Sequence, residues 1–478
     1  MNSKKKVTTG LKKCHQMSSI LQYTELYRDN AELIDKGSAP VLNKLRRQAF
    51  ETLSETASFP AKHTEGFEKT SIEDLFAPDY GINILRKNLP VNLAATFRCD
   101  VPRMSTLTGF VVNDAFIPGH DIERKLPEGV IFCSLAKAAE QYPGLVEKHY
   151  GRLAPAGDAT VALNNMLVQD GVFIYIPRNV IVERPIQIVN IFSSPIPLMA
   201  LRRILVVAEQ GAKASILVCD HTNDTTQNYL SSQIIEIFAG PGSDIGFYDM
   251  EESSPLTSRY SRLFASQQQD SRLLVDGITL ANGKTRNDYT INLDGPNAEA
   301  MLGGMAIGSG NQHIDNNSQL THTAPYCRSN QIFKYILDDE ATGAFEGGIN
   351  VSHGAIKTQA YQSNRNLLAS QGARMHTKPQ LLIFCDDVKC SHGATTGQLD
   401  QDALFYMRQR GISEKLAKTM LMQAFMADVI ETVEMDGLRQ RLHHLVEKHL
   451  HGEAAFCSDC SLTGTDHDIA PNPENSNE

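Results

Sequence analysis

The pattern of hydrophobic and polar positions divides the chain into two helical ends and a β-rich middle. Between about 158 and 390, short runs of β-branched and aromatic residues recur, separated by Gly, Asn, Asp or Pro. This texture predicts a mainly β structure, and a sandwich, a barrel and a solenoid would all produce it. The runs are Val172–Ile176, Ile186–Val189, Ile204–Val207, Ser215–Val218, Ile234–Phe238, Tyr289–Leu293, Ile332–Ile336 and Leu381–Phe384.

The N-terminal part, residues 1–95, has the composition of helices and connecting segments. One break is expected at Gly37-Ser-Ala-Pro40, because Gly and Pro interrupt helices and Pro is favoured in a first helical turn. After it, apolar residues spaced three or four apart predict an amphipathic helix; they are Leu42, Leu45, Ala49 and Leu53. Residues 96–157 are predicted to form a mixed connecting region, with a short helix at 135–140 closed by Pro143-Gly144.

The β-rich domain is therefore expected to span 158–399, followed by a C-terminal helical domain over 400–455. Asp400 is suited to cap a first helix, Gly411 to end it, and Ser413 to cap a longer second helix. The tail, 456–478, is rich in Asn, Pro, Asp and Ser, and is expected to be disordered.

The second of these C-terminal helices is apolar on more than one side. One stripe would suffice to pack it on its own domain, yet a second runs through Met422, Met426, Ile430 and Val433. Met-rich faces adapt readily to partner surfaces, so these four residues are predicted to bind a partner. A helix buried on both sides within its own chain would show the same pattern.

One repeat favours the solenoid among the β architectures. Ser352-His353-Gly354-Ala355 recurs as Ser391-His392-Gly393-Ala394, offset by 39 residues. An offset of two coils of roughly 20 residues would stack the copies along one face of a β-helix. A four-residue match can also arise by chance or from turn chemistry.

Charge and composition exclude several functional classes. The chain has 45 Lys and Arg against 55 Asp and Glu, a net charge of −10, which argues against nucleic acid and anionic lipid as main partners. No apolar run approaches the roughly 20 residues that a membrane span requires, and no apolar stretch follows the basic N-terminus to make a signal peptide. Nine scattered cysteines indicate free thiols in a reducing, cytoplasmic compartment.

The best candidate for chemistry is the pair Cys390 and His392. Residues two apart on a strand project to the same side, so a thiolate and an imidazole would lie together, a donor set that suits Fe, Zn or Cu. Two ligands make an incomplete metal site. The others would come from Asp387, from His353 through coil stacking, or from another chain.

Other motifs are weaker. The pair Cys457 and Cys460 has metal or redox spacing but lies at the edge of the tail without a second pair, and its role stays open. The segment Asn282-Gly283-Lys284-Thr285 imitates a phosphate-binding loop, but position 278, where the motif requires Gly, is Ile278. The chain is therefore not expected to bind ATP by itself. A group of four histidines at the end of the last helix is best explained as a solvated helix end; they are His443, His444, His449 and His451.

The stretch from Cys390 to Ile412, CSHGATTGQLDQDALFYMRQRGI, resembles the signature of the SufB/SufD family of iron–sulfur cluster assembly proteins. Upstream, 364–370 and 378–381 extend the match, and the resemblance covers roughly 95–450. Within the family the fit is to the SufD branch. SufB has Cys-Asp-Ser where this chain has Asn364-Arg365-Asn366, and Glu-His-Glu-Ala where it has Ser391–Ala394.

The resemblance implies a right-handed parallel β-helix between N-terminal and C-terminal helical regions, and a non-enzymatic scaffold. It also implies pairing with SufB through the β-helices and a copy of the ATPase SufC on the C-terminal helices. His392 would lie at the SufB interface, opposite an essential cysteine of SufB, with Cys390 beside it. It would support iron entry or nascent cluster assembly there. The protein would have no cofactor of its own, only transient iron or a nascent cluster.

Two alternatives remain beside this hypothesis. The chain could be a SufB-like primary cluster carrier, against which Asn364-Arg365-Asn366 speaks, since the sulfur acceptor is missing. It could instead be a β-helix enzyme acting on polysaccharide, but such enzymes are usually secreted and no export signal is evident. Whether the chain pairs with itself when SufB is absent stays open.

Overall fold

The computed structural model describes residues 18–86, 105–120, 122–223 and 225–450. Near its N-terminus, helix α1 (Ser19–Lys36) and helix α2 (Pro40–Glu55) flank the break at Gly37, and Pro40 occupies the first turn of α2. The predicted stripe of α2 faces inward, with Leu42, Ala49 and Leu53 buried.

Short elements connect these helices to the β domain. The predicted short helix ends at Gln141, before Pro143. Pro143 then begins another helix, as Pro does when its missing N–H falls at an unpaired first position. The elements are α3 (Ile72–Phe76), β1 (Leu107–Val112), β2 (Ala115–Pro118), α4 (Ile122–Lys125), β3 (Ile131–Ser134), α5 (Leu135–Gln141), α6 (Pro143–His149) and α7 (Ala159–Leu167).

The middle of the chain is a parallel β-solenoid, as predicted. Each coil contributes one strand to each of two sheets, and every strand pairs in parallel with the strand two places along the chain. The strands are β4 (Val172–Ile176), β5 (Ile181–Phe192), β6 (Leu198–Ala208), β7 (Lys213–Thr222), β8 (Tyr229–Ala239), β9 (Asp244–Glu252), β10 (Thr257–Gln267), β11 (Arg272–Ala281), β12 (Lys284–Leu293), β13 (Glu299–Gly308), β14 (His313–His322), β15 (Arg328–Leu337), β16 (Thr342–Val351), β17 (Gln359–Leu368), β18 (Arg374–Ile383) and β19 (Lys389–Gly397).

From β4 onward, the odd-numbered strands belong to a sheet that ends at β19, and the even-numbered strands to a sheet that ends at β18. At the other end, β2 and β3 join their sheets in antiparallel fashion. We call β18 and β19 together the end coil.

The coil length corrects the interpretation of the sequence repeat. Glu299 pairs with Arg328, and Gln359 with Lys389, so one coil takes about 30 residues rather than 20. An offset of 39 is no multiple of this length. His353 therefore lies in the turn after β16, whereas His392 lies within β19 beside Gln362. The prediction that the two copies stack on each other was wrong, although the solenoid that it favoured is present.

Alternate residues of each strand face the lumen of the solenoid or its outside. On β15, Phe333, Tyr335 and Leu337 belong to the luminal apolar cluster. Ile332 and Ile336 alternate with them along the strand and pack outward against the C-terminal helices. These helices thus lie on the outer face of the odd-numbered sheet.

The C-terminal helices are α8 (Gln401–Gln409), α9 (Glu414–Ile430) and α10 (Asp436–Leu450). The predicted start and end of α8 and the predicted start of α9 are confirmed. The Asp400 side chain accepts hydrogen bonds from the backbone of α8, Ser413 caps α9, and Gly411 between them has φ of +86°.

The orientation expected for α9 is corrected by the structure. Met422, Met426, Ile430 and Val433 all face the solenoid, where they pack against residues such as Ile278 and Met305. They are buried by their own chain and present no outward surface. The alternative, a helix covered on this side by its own domain, is the one the structure shows.

Candidate functional site

The end coil leaves the solenoid open at one end. Because β18 and β19 are the last strands of their sheets, each has an edge without a strand partner among the described residues. Such an edge exposes backbone N–H and C=O groups that can pair with another chain.

Cys390 and His392 lie on β19, and their spacing of two puts them on one face of the strand. Their register partners on β17 are Ala360 and Gln362, both buried, so this face continues the luminal wall of the solenoid. Ser391 lies on the opposite face. The structure therefore places the sulfur and nitrogen donors on one face of the last strand, at the end of the solenoid.

The two side chains differ in environment. Cys390 is partly buried against a small apolar cluster that contains Val351 and Ala360, and burial raises the pKa of its thiol. His392 is exposed. Any metal ion bound by the Cys390 sulfur would therefore have to displace its proton, as metal binding to thiols generally does.

The further ligands considered from the sequence lie elsewhere. Asp387 forms a surface ion pair of 2.8 Å with Lys357, and His353 packs against the ring of Phe384. In the part of the chain that the structure describes, no group of three or more His, Cys, Asp or Glu side chains could hold a metal ion. Cys390 and His392 form at most part of a site.

Asn364 and Asn366 support the strand that presents the pair. Their amides bond to each other at 2.7 and 3.1 Å, and the Asn366 amide also donates to the Thr395 carbonyl at 3.1 Å. The Asn366 amide therefore helps to fix β19 to β17. Gln362, directly beside His392, gave no sequence signal, since its position depends on the coil length.

The end coil also exposes apolar side chains. Leu382, Ile383 and Phe384 follow one another at its edge and are 41–51% exposed. Consecutive exposed apolar residues on an unpaired edge are typical of an interaction surface.

A second exposed apolar surface lies on the C-terminal helices. Leu416 and Met420, one turn apart on α9, are 44% and 42% exposed, and Phe405 and Tyr406 on α8 are exposed further. We call these four residues the helical patch. Its two residues on α9, Leu416 and Met420, are exposed, whereas Met426 on the same helix is fully buried.

The weaker candidates gain no support. The loop at 282–283 leads into β12 and not into a helix, as expected for a segment that is not a phosphate-binding loop. Cys457, Cys460 and His451 lie outside the described residues. No helix in the described ranges is both long and apolar enough to cross a membrane.

Comparison with known families gives two matches that together span most of the chain. Residues 192–425 match the model described as "SUF system FeS cluster assembly, SufBD core domain", and residues 17–188 match the SufBD protein N-terminal region.

Individual relatives also bear the names of SufBD family proteins. The chain is 26% identical over 442 residues to a SufBD family protein of Synechocystis, which covers 91% of this chain and 96% of the relative. It is 29% identical over 334 residues to SufD of Bacillus subtilis, covering 67% and 74%. It is 34% identical over 201 residues to SufD of Escherichia coli, covering 42% and 48%.

Proposed function

Because this chain belongs to the SufBD family of iron–sulfur cluster assembly proteins, we propose that it is a non-enzymatic scaffold of the SufD type. It pairs with SufB at the end coil, and Cys390 and His392 complete an iron-entry or nascent-cluster site there. The ATPase SufC docks on its C-terminal helices. The observation that carries the proposal is the placement of both donors on one face at the open rim of the solenoid.

The end coil suits a partner with a similar edge. Its free strand edges can accept further strands through backbone hydrogen bonds, and the apolar run 382–384 adds surface to bury. A second solenoid meeting this edge would extend both sheets and supply ligands opposite His392. SufB, a protein of the same family, fits that description.

The donor chemistry favours iron as cargo. Thiolate and imidazole together select soft or borderline metals over Mg²⁺ or Ca²⁺. Since the described chain contributes only two donors, iron would be held tightly only when the partner adds others, and it could be released when the partner moves.

Only a short segment connects the proposed ATPase docking surface to the strand that bears His392. Residues 398–400 alone separate β19 from α8, which bears part of the helical patch. A force applied to Phe405 or Tyr406 would therefore act on the strand that bears His392 through three residues. This arrangement would couple nucleotide-driven movement of SufC to the SufB interface.

The test uses the reconstituted complex with SufB and SufC under anaerobic conditions. His392→Ala and Cys390→Ala should each reduce cluster formation, measured by the visible absorption of the cluster. Ser391→Ala, on the opposite face of the same strand, is the matched control and should match the parent. If His392→Ala supported full cluster formation, the assigned site would be wrong.

A further inference from the structure

Gln362 has a buried amide without hydrogen-bond partners. Its side chain is 4% exposed, yet neither Oε1 nor Nε2 has a partner in the structure. Buried amides are normally satisfied on both atoms, and each group left unpaired lowers stability. Both atoms of the Gln362 amide are therefore free to pair with a group that approaches from the end coil.

Gln362 lies between Gln331 and His392 in one column of the odd-numbered sheet. Register pairs Gln331 with Gln362 on the coil before, and Gln362 with His392 on the end coil. Adjacent strands are about 4.8 Å apart, so the three side chains are direct neighbours along the lumen.

Contacts with the opposite sheet show that the side chains of this column point across the lumen. Gln331 Oε1 accepts a hydrogen bond of 2.7 Å from the Ser318 hydroxyl on the opposite sheet. Gln362 reaches toward Gly347, also on the opposite sheet, where an added Cβ would lie 2.3 Å from Nε2. The glycine therefore leaves the space that the Gln362 amide occupies.

We propose that Gln362 is a positioning residue for His392. When the partner covers the end coil, Gln362 Oε1 accepts the N–H of one imidazole nitrogen, and Nε2 turns toward Gln331 Oε1. The other ring nitrogen then has its lone pair free and directed at iron. This inference rests on the proposed function, because it concerns the same interface site.

The chemistry follows from how histidine binds metals. A neutral imidazole can coordinate through one nitrogen only if the other holds the proton, and an oxygen acceptor on that N–H fixes both tautomer and ring orientation. The acceptor must be unpaired and within reach. Gln362 Oε1 meets the first condition and, by register, the second.

The experiment compares two substitutions in the complex with SufB and SufC. Gln362→Met keeps the side-chain length but removes the acceptor, whereas Gln362→Glu keeps an acceptor oxygen. We expect Gln362→Met to weaken anaerobic Fe²⁺ binding about 10-fold or more, as loss of such partners does. Gln362→Glu should stay within about threefold of the parent. Equal losses in both variants would indicate a packing role and overturn the inference.

A second measurement needs no variant of Gln362. In the parent complex labelled with ¹⁵N-histidine, the His392 signal, assigned by its loss in His392→Gln, should show a single tautomer with one nitrogen hydrogen-bonded. An even mixture of tautomers would contradict the role of Gln362.

The two proposals fail in different ways. Normal Fe²⁺ binding by Gln362→Met, with loss in His392→Ala, would overturn the inference and leave the proposed function standing. Normal binding by His392→Ala would overturn the function, and with it the inference.

Discussion

Thr432 donates a hydrogen bond of 2.9 Å to Asp276, and this contact joins the segment after α9 to the outer face of β11. Asp276 is 2% exposed, and its second oxygen has no partner. Its surroundings are the apolar cluster between helices and sheet, which includes Leu274 and Ile278. A buried carboxyl group therefore lies inside the surface that fixes the C-terminal helices.

This carboxyl should make helix docking sensitive to pH. Burial, with a smaller contribution from the charge of Glu434, raises the pKa of Asp276 to about 7. Because folding raises this pKa, Asp276 contributes fully to the free energy of unfolding below about pH 4, the pKa of the carboxyl in the unfolded chain. The contribution is lost as pH rises through 7. The stability of the protein should accordingly fall across that range.

Asp276→Asn tests this expectation because it keeps the hydrogen-bond acceptor and cannot ionise. In urea unfolding, the variant should gain stability relative to the parent between pH 5 and pH 8, by roughly 1–3 kcal/mol. Other buried carboxyls, such as Glu251, contribute equally to the stability of the parent and of the variant. Their contributions therefore cancel in the difference between the two unfolding free energies. Asp386→Asn, at an exposed position, should show no such trend. A constant difference across pH would show that Asp276 is ionised throughout.

The parts of the fold that depend on local rules could be predicted from the sequence. The caps at Asp400 and Ser413 and the turn at Gly411 depend only on their immediate neighbours. The alternation of a strand sufficed to place Cys390 and His392 on one face. The solenoid followed from the texture of short strands together with the family resemblance.

The parts that depend on long-range packing could not be predicted. Helix α9 is apolar on both sides, so its periodicity does not determine which stripe packs against the sheet. In the structure, Met426 is buried against the sheet and Met420 is exposed. The coil length is set by turns of varied sequence, and without it neither the separation of His353 from His392 nor the neighbour Gln362 could be inferred.

The helical patch should be the docking surface for the ATPase. Leu416→Asp combined with Met420→Asp places charge on exposed positions, so circular dichroism and thermal unfolding should stay close to those of the parent. Co-purification of SufC should be lost. Met426→Asp is the contrasting variant: it buries an unpaired charge in the helix–sheet cluster and should destabilise the protein by several kcal/mol. Retained SufC binding by the double variant would refute docking through the patch.

The apolar edge of the end coil should be required for pairing. Phe384→Asp replaces a ring that is 51% exposed and should abolish the complex with SufB, because a charge would be buried in the interface. Analytical size exclusion of the mixed subunits measures this directly. Ile181→Asp is the control, since Ile181 is 56% exposed but lies on β5, far along the solenoid from β19. Dissociation by both variants would mean that the effect is not specific to the end coil.

The buried ion pair between Arg441 on α10 and Glu252 on β9 should contribute to holding the last helix on the solenoid. The two side chains meet at 2.9 Å, and both are almost fully buried. Arg441→Met would leave the Glu252 carboxylate uncompensated, at a cost of about 3–5 kcal/mol in unfolding free energy. Adding Glu252→Gln to that variant removes the orphaned charge and should recover most of the loss. If the double variant were no more stable than Arg441→Met, packing of the arginine stem rather than its charge would account for the effect.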